Sequence, residues 1–231
     1  MLRFLVCLIV FIFSASQTTA KHAVRAEKLV ITDAMVITGV GTPAEGPLDI
    51  VISANKIERI SAGSPNSEHR KNATLIDAKG KYVMPGFINM HGHTMYNRAG
   101  IDMDQPYQYY MWLGSGITSV RDLGSDWSKT SVDREKSKKN EIIAPRLFIY
   151  PGTWGHHKAD DVRKLIQKYK DDGADGLKFG MMDKETFYAA SDEAQKLKLK
   201  VANHVGVEDM NAWDNAAMKT TTIEHWYGIP D

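Results

Sequence analysis

Five side chains fall where cation chemistry becomes feasible. His91 and His93 flank a single glycine in FINMHGHT, residues 87–94, where a hydrophobic stretch runs out. On a β-strand, residues two apart point to the same face, so both imidazoles leave the strand end together and can hold a cation. His204 in KVANHVG, His225 in TTIEHWYG and Lys178 in GLKFG also sit at the ends of short apolar runs. One histidine at a strand end is ordinarily a hydrogen-bonded packing residue. Four at equivalent places are hard to explain by packing, because each buried imidazole needs a polar partner. A metal site explains them together. Lys178 is the odd member, since an ammonium group with a pKa of about 10.4 repels a cation. Burial beside two metal ions would favour the neutral amine, which can add carbon dioxide to give a carbamate, a carboxylate in effect. The alternative is an ion pair between Lys178 and an acid, Asp175 or Asp122.

The rest of the composition narrows the field. A chain of 231 residues that is 43% hydrophobic can bury one sizeable core or two small ones. The net charge is +1 with both signs mixed throughout, which argues against a nucleic-acid or anionic-membrane partner. The basic run REKSKK, residues 134–139, reads as a solvated face. Residues 1–20 place Arg3 before an apolar block and end on small polar residues at Ala20, the layout of a cleavable signal peptide. A secreted or periplasmic protein is therefore expected, with an uncleaved membrane anchor as the other reading. Cys7, the one cysteine, lies inside that block, so a mature chain has no thiol and must hold any metal through histidine, carboxylate or something rarer.

The elements that must position these residues follow from periodicity. KLVITDAMVITG (28–39) and LDIVISANKIERIS (48–61) alternate apolar and polar residues, with a turn at Asn55-Lys56. ATLIDAKGKYVMPGF (73–87) adds a second expected hairpin around Lys79-Gly80. Residues 21–81 thus predict a small β unit, β-sandwich-like, with no clustered catalytic residue types. After Tyr82 the pattern changes to strands alternating with helices. The strands are FINMHGH, ITSVRDLG, RLFIYPG, GLKFG, KVANHVG and TTIEHWYG. Val162, Leu165, Ile166 and Tyr169 mark the apolar face of one helix, and Asp183 is the expected N-cap of the next. A weaker helix brings Met210, Trp213 and Ala217 together. Repeated βα units predict a parallel sheet with helical crossovers, whose chemistry sits at the C-terminal strand ends. Strand two ends there in Arg121-Asp122. Tyr96, Arg98, Trp154, His156 and Tyr227, in or near the loops above those ends, are the candidate substrate-pocket residues.

VMPGFINMHGHT, GITSVRDLG, GADGLKFG, VANHVG and TTIEHWYG together resemble the amidohydrolase superfamily, specifically its secreted, imidazolonepropionase- and prolidase-like branch, across residues 28–231. The resemblance implies an α/β fold: a TIM-type (β/α)8 metal-dependent hydrolase barrel in residues 82–231, preceded by the N-terminal part of a composite β domain. It implies two divalent ions, commonly zinc. His91 and His93 would bind the more buried one, His204 and His225 the other, with carbamylated Lys178 bridging. A hydroxide between the ions, its pKa brought toward ~7, would attack an amide, peptide or cyclic amide bond of a small-molecule substrate.

Two departures stand out. Asn89 replaces the aspartate of many relatives. Residues 82–231 hold about six βα units, whereas a closed barrel has eight. The expected strand-eight aspartate, the general base, lies outside this sequence, so no catalytic residue is assigned and a truncated enzyme is expected. The alternative is a non-catalytic remnant, or half of a split enzyme, that binds metal or a partner without turnover. A second copy or a complementing C-terminal half would then be its protein partner.

Overall fold

The computed structural model describes residues 26–155, 158–180, 182–205 and 210–225. The N-terminal unit contains β1 (Lys28–Val36), β2 (Glu45–Ser53), β3 (Lys56–Ser61), β4 (Thr74–Asp77) and β5 (Tyr82–Val83). They form one sheet in the order β3-β2-β1-β4, with β5 also paired to β1. Among the described residues this is a single layer, not a sandwich. Ala34, Val36, Ile50 and Ala78 are its buried core. The turn before Lys56 joins β2 and β3 as an antiparallel hairpin. The hairpin expected at Lys79-Gly80 does not form. β4 and β5 both run parallel to β1, on Leu29–Thr32 and on Met35 and Val36. Ala78 N–H donates to Thr32 O and Met35 N–H to Lys81 O, so the turn only bulges one edge strand and the chain never reverses.

The remaining elements are β6 (Phe87–Gly92), β7 (Asn97–Arg98), β8 (Ile101–Asp102), α1 (Gln105–Gly114), β9 (Ile117–Leu123), α2 (Trp127–Lys138), β10 (Arg146–Tyr150), α3 (Ala159–Asp171), β11 (Gly176–Phe179), α4 (Lys184–Lys196), β12 (Lys200–His204), α5 (Ala212–Ala217) and β13 (Thr222–Glu224). The expected strands run parallel in two sheets, β10-β9-β6 and β11-β12-β13, while β7 and β8 make a small hairpin in the loop after β6. The sheets meet at one bridge, Gly152 with Lys178, where Lys178 N–H donates to Pro151 O and Thr153 N–H to Lys178 O.

Periodicity explains the largest core. Val162 and Ile166 of α3 and Phe187, Ala190 and Ala194 of α4 are buried against Leu177, Phe179 and Val201. Asp183 caps α4 as expected, its carboxylate accepting from Thr186 N–H. Two expectations need correction. Trp213 is 72% exposed while Met210 is buried, so their apolar cluster does not form. Helix α5 has six residues and turns Asp214 and Asn215 inward instead. Arg134, read as part of a solvated run, is buried. Its guanidinium donates to Gly173 O and to Asp175 and lies 5.5 Å from the centre of the Trp127 ring. No helix among the described residues is long and apolar enough to cross a membrane.

Candidate metal centre

Strand β6 bends at its end. Its register against β9 shifts between Asn89 and Gly92, and Asn89 Oδ1 accepts from His91 N–H at 3.0 Å. Asn89 therefore shapes the backbone under His91. The imidazoles then form a continuous run across the strand ends. Ring centres are 5.1 Å apart for His91 and His93, 5.0 Å for His91 and His225, and 4.3 Å for His225 and His204. Alternation along β13 would send Glu224 and His225 to opposite faces. His225 instead has φ +68, a left-handed conformation that histidine tolerates better than most residues, and both side chains reach His91.

Lys178 is 1% exposed, and among the described residues its Nζ has no hydrogen-bond partner. Burial lowers its pKa to about 8, with the Glu224 charge opposing and the Arg121 charge reinforcing that shift. The alternative acid partners are engaged elsewhere. Asp175 accepts from Arg134 and Ile149 N–H, and Asp122 accepts from the Thr94 and Ser125 N–H groups. The ion pair weighed for Lys178 is thus not formed. Burial also holds His91, His204 and His225 below the usual imidazole pKa, with cationic neighbours adding to it. They favour the neutral, ligating form.

Among the described residues no group of three or more His, Cys, Asp or Glu side chains is placed to hold a metal ion. The rings form an open chain, and what fits a cation is the donor set: partly exposed imidazoles, three of them shifted toward the neutral form, beside a buried amine. Sequence reading missed Glu224, which is buried under His91. The signal was Arg121, a charge inside an apolar strand that needs a buried counter-ion.

Tyr96 and Arg98 line a cavity of about 450 Å³ together with His93, Thr94 and Lys129. Tyr96 is anchored there by its hydroxyl, which donates to Asp133 at 2.8 Å. Trp154 lies across three glycines: a Cβ on Gly124, Gly152 or Gly180 would fall 2.7, 1.9 or 2.4 Å from its indole. Glycine at these positions is what seats the ring over the strand ends. Gly152→Ala is expected to cost ~1–3 kcal/mol in unfolding free energy. Most of that cost should vanish in a Trp154→Ala background, a coupling that a double-mutant cycle measures directly. His156 and Tyr227 lie outside the described residues.

Comparison with known proteins bears on the fold. No family model matches the chain. A dihydroorotase from Caldanaerobacter subterraneus subsp. tengcongensis is 41% identical over 66 residues, 29% of this chain and 14% of the relative. A 5-methylthioadenosine/S-adenosylhomocysteine deaminase from Thermococcus onnurineus is 33% identical over 107 residues, 46% of this chain and 22% of the relative. Among solved structures, a Xaa-Pro dipeptidase with methionine bound in its active site superposes with a TM-score of 0.70 at 21% identity. That match covers 86% of this chain and 61% of the dipeptidase chain. The fold is the α/β metal-hydrolase fold of amidohydrolase-superfamily enzymes. The superfamily read from the motifs is thereby supported, by fold and by local sequence. The chain spans about three-fifths of the length of that dipeptidase and a smaller share of the curated relatives.

Proposed function

We propose that this chain is the metal-holding part of a hydrolase that cleaves a carbon–nitrogen bond, in an amide, peptide or cyclic amide, of a small-molecule substrate. The supporting observation is the run of imidazoles from the ends of three separate strands beside a buried amine that has no hydrogen-bond partner among the described residues. In this reading His91 and His93 would hold one zinc ion and His204 and His225 a second, with Lys178, as a carbamate, as a further ligand. Bound ions of this kind supply a water molecule activated near neutral pH and polarise the scissile carbonyl.

The chain's own residues prepare that chemistry. Partial desolvation lowers the pKa of three imidazoles, which favours the form with a free lone pair. Trp154 roofs the strand ends and limits water there, while Tyr96 and Arg98 wall the cavity beside His93. His156 and Tyr227 are assigned to the proposed pocket from their place in the sequence alone. A second copy or a complementing chain as protein partner, and a secreted or periplasmic location led by residues 1–20, belong to the same proposal.

Dialysis against zinc followed by atomic emission tests the centre. Two ions per chain are expected, with loss in His91→Ala and in His204→Ala. A wild-type chain that retains no more zinc than these variants would defeat the proposal. Incubation of the zinc-loaded chain with dipeptides and cyclic amides then separates turnover from binding alone.

A further inference from the structure

Glu224 belongs to none of the ligand pairs above, yet it is a buried carboxylate held through both of its oxygens. It is 6% exposed. One oxygen, Oε1, accepts from Arg121 Nη2 and from the Thr222 hydroxyl, each at 2.6 Å. The other, Oε2, lies 2.6 Å from His91 Nδ1. Arg121 also donates from Nε to Met90 O at 2.6 Å and from Nη1 to Thr222 at 3.1 Å. One guanidinium thus grips the backbone just before His91 and the carboxylate that meets the His91 ring. Strands β6, β9 and β13 are joined through it.

We infer that Glu224 is the positioning residue of this centre, fixing the tautomer and direction of His91. An ionised carboxylate can only accept hydrogen bonds, so the proton between them must sit on His91 Nδ1. Nε2 is then the bare nitrogen, and the ring cannot swing while Oε2 holds it. Metal-bound histidines are commonly oriented through their second nitrogen in this way, and losing the partner weakens metal binding. Arg121 in turn keeps Glu224 charged and stationary. The bland reading is a structural ion pair that merely ties three strands together. It makes no demand on the His91 tautomer, and that difference separates the two.

The inference rests on the proposed metal centre for its purpose but not for its first test. Long-range nitrogen–proton NMR on the full chain, labelled at histidine and free of metal, reads the His91 tautomer. Wild type should carry the proton on Nδ1. Glu224→Gln, which can donate as well as accept, should shift His91 toward the other tautomer, whereas Thr222→Val should leave it unchanged. Zinc titration should give a 10–100-fold weaker affinity in Glu224→Gln. A wild-type His91 protonated on Nε2 would overturn the inference, even if the variant failed to fold. So would a folded Glu224→Gln with unchanged tautomer and zinc affinity. Wild type with the expected tautomer but no zinc binding would instead count against the metal reading and leave the role of Glu224 standing.

Discussion

Lys178→Met is expected to make the metal-free protein more stable and at the same time nearly blind to metal. The two effects have different origins. In the metal-free chain the Lys178 amine is buried without a hydrogen bond, and an unsatisfied buried donor costs ~1–3 kcal/mol. Methionine fills a similar volume and carries no charge, so urea unfolding should show a gain of that size. With the bridging group gone, zinc affinity should fall by ~100-fold or more, since a direct ligand counts for more than the outer partners that set that scale. The gain also has a predictable pH dependence. The folded-state pKa of Lys178, about 8, lies below its ordinary value of 10.5. Below the lower value the ammonium is buried and its cost is complete. As pH rises through 8 the folded state sheds the proton, wild type recovers stability, and the advantage of methionine should shrink between pH 8 and 10.5. A variant that is less stable and still binds zinc would show that Lys178 is a packing residue, and the proposed centre would lose its bridge.

This opposition of stability and use explains what the sequence could and could not reveal. His91 and His93 were legible because strand alternation fixes their common face, and Lys178 stood out because a lysine at the end of an apolar strand has no packing reason to be there. Asp183 was legible as a helix cap from its type and position. Features made by departures from regular geometry were hidden. Alternation along TTIEHWYG assigns Glu224 and His225 to opposite faces, and only the φ of +68 at His225 brings both toward His91. The bulge between β4 and β5 looked like a hairpin because Lys79-Gly80 is a good turn sequence, yet backbone bonds on both sides hold the strand to one edge. Arg134 was placed in solvent by the charges around it, whereas its partners Gly173 and Asp175 are about forty residues away in sequence. Pairings at that distance leave no local periodicity to read.

The same blindness concealed a charged cluster in the β unit, where no grouping of chemistry-bearing residues was expected. Asp49 of β2 is fully buried. It accepts from Arg70 Nε and Nη2, each at 2.7 Å, and from Asp33 N–H at 3.1 Å, and it lies 2.6 Å from His69 Nε2. Burial pushes the carboxyl pKa up, but the Arg70 and His69 hydrogen bonds outweigh it and carry the value down to about 2. Asp49→Ala would leave Arg70, itself 8% exposed at the side chain, with only the half-exposed Asp33 as counter-ion. Breaking a buried pair from one side costs ~3–5 kcal/mol, so this variant should be the most destabilised of those considered. The acid response follows from the sign of the shift. A carboxyl held below its ordinary 3.8 stabilises the fold above that pH and loses its contribution as pH falls through about 2. Wild type should therefore lose stability steeply between pH 4 and 2, and Asp49→Ala should be flatter there. Hydrogen exchange would locate the loss in β1 and β2, the strands that the cluster ties to the segment carrying His69 and Arg70. Equal acid slopes in the two proteins would mean that the cluster adds nothing to stability, and that packing of Ala34, Val36 and Ile50 holds the unit together.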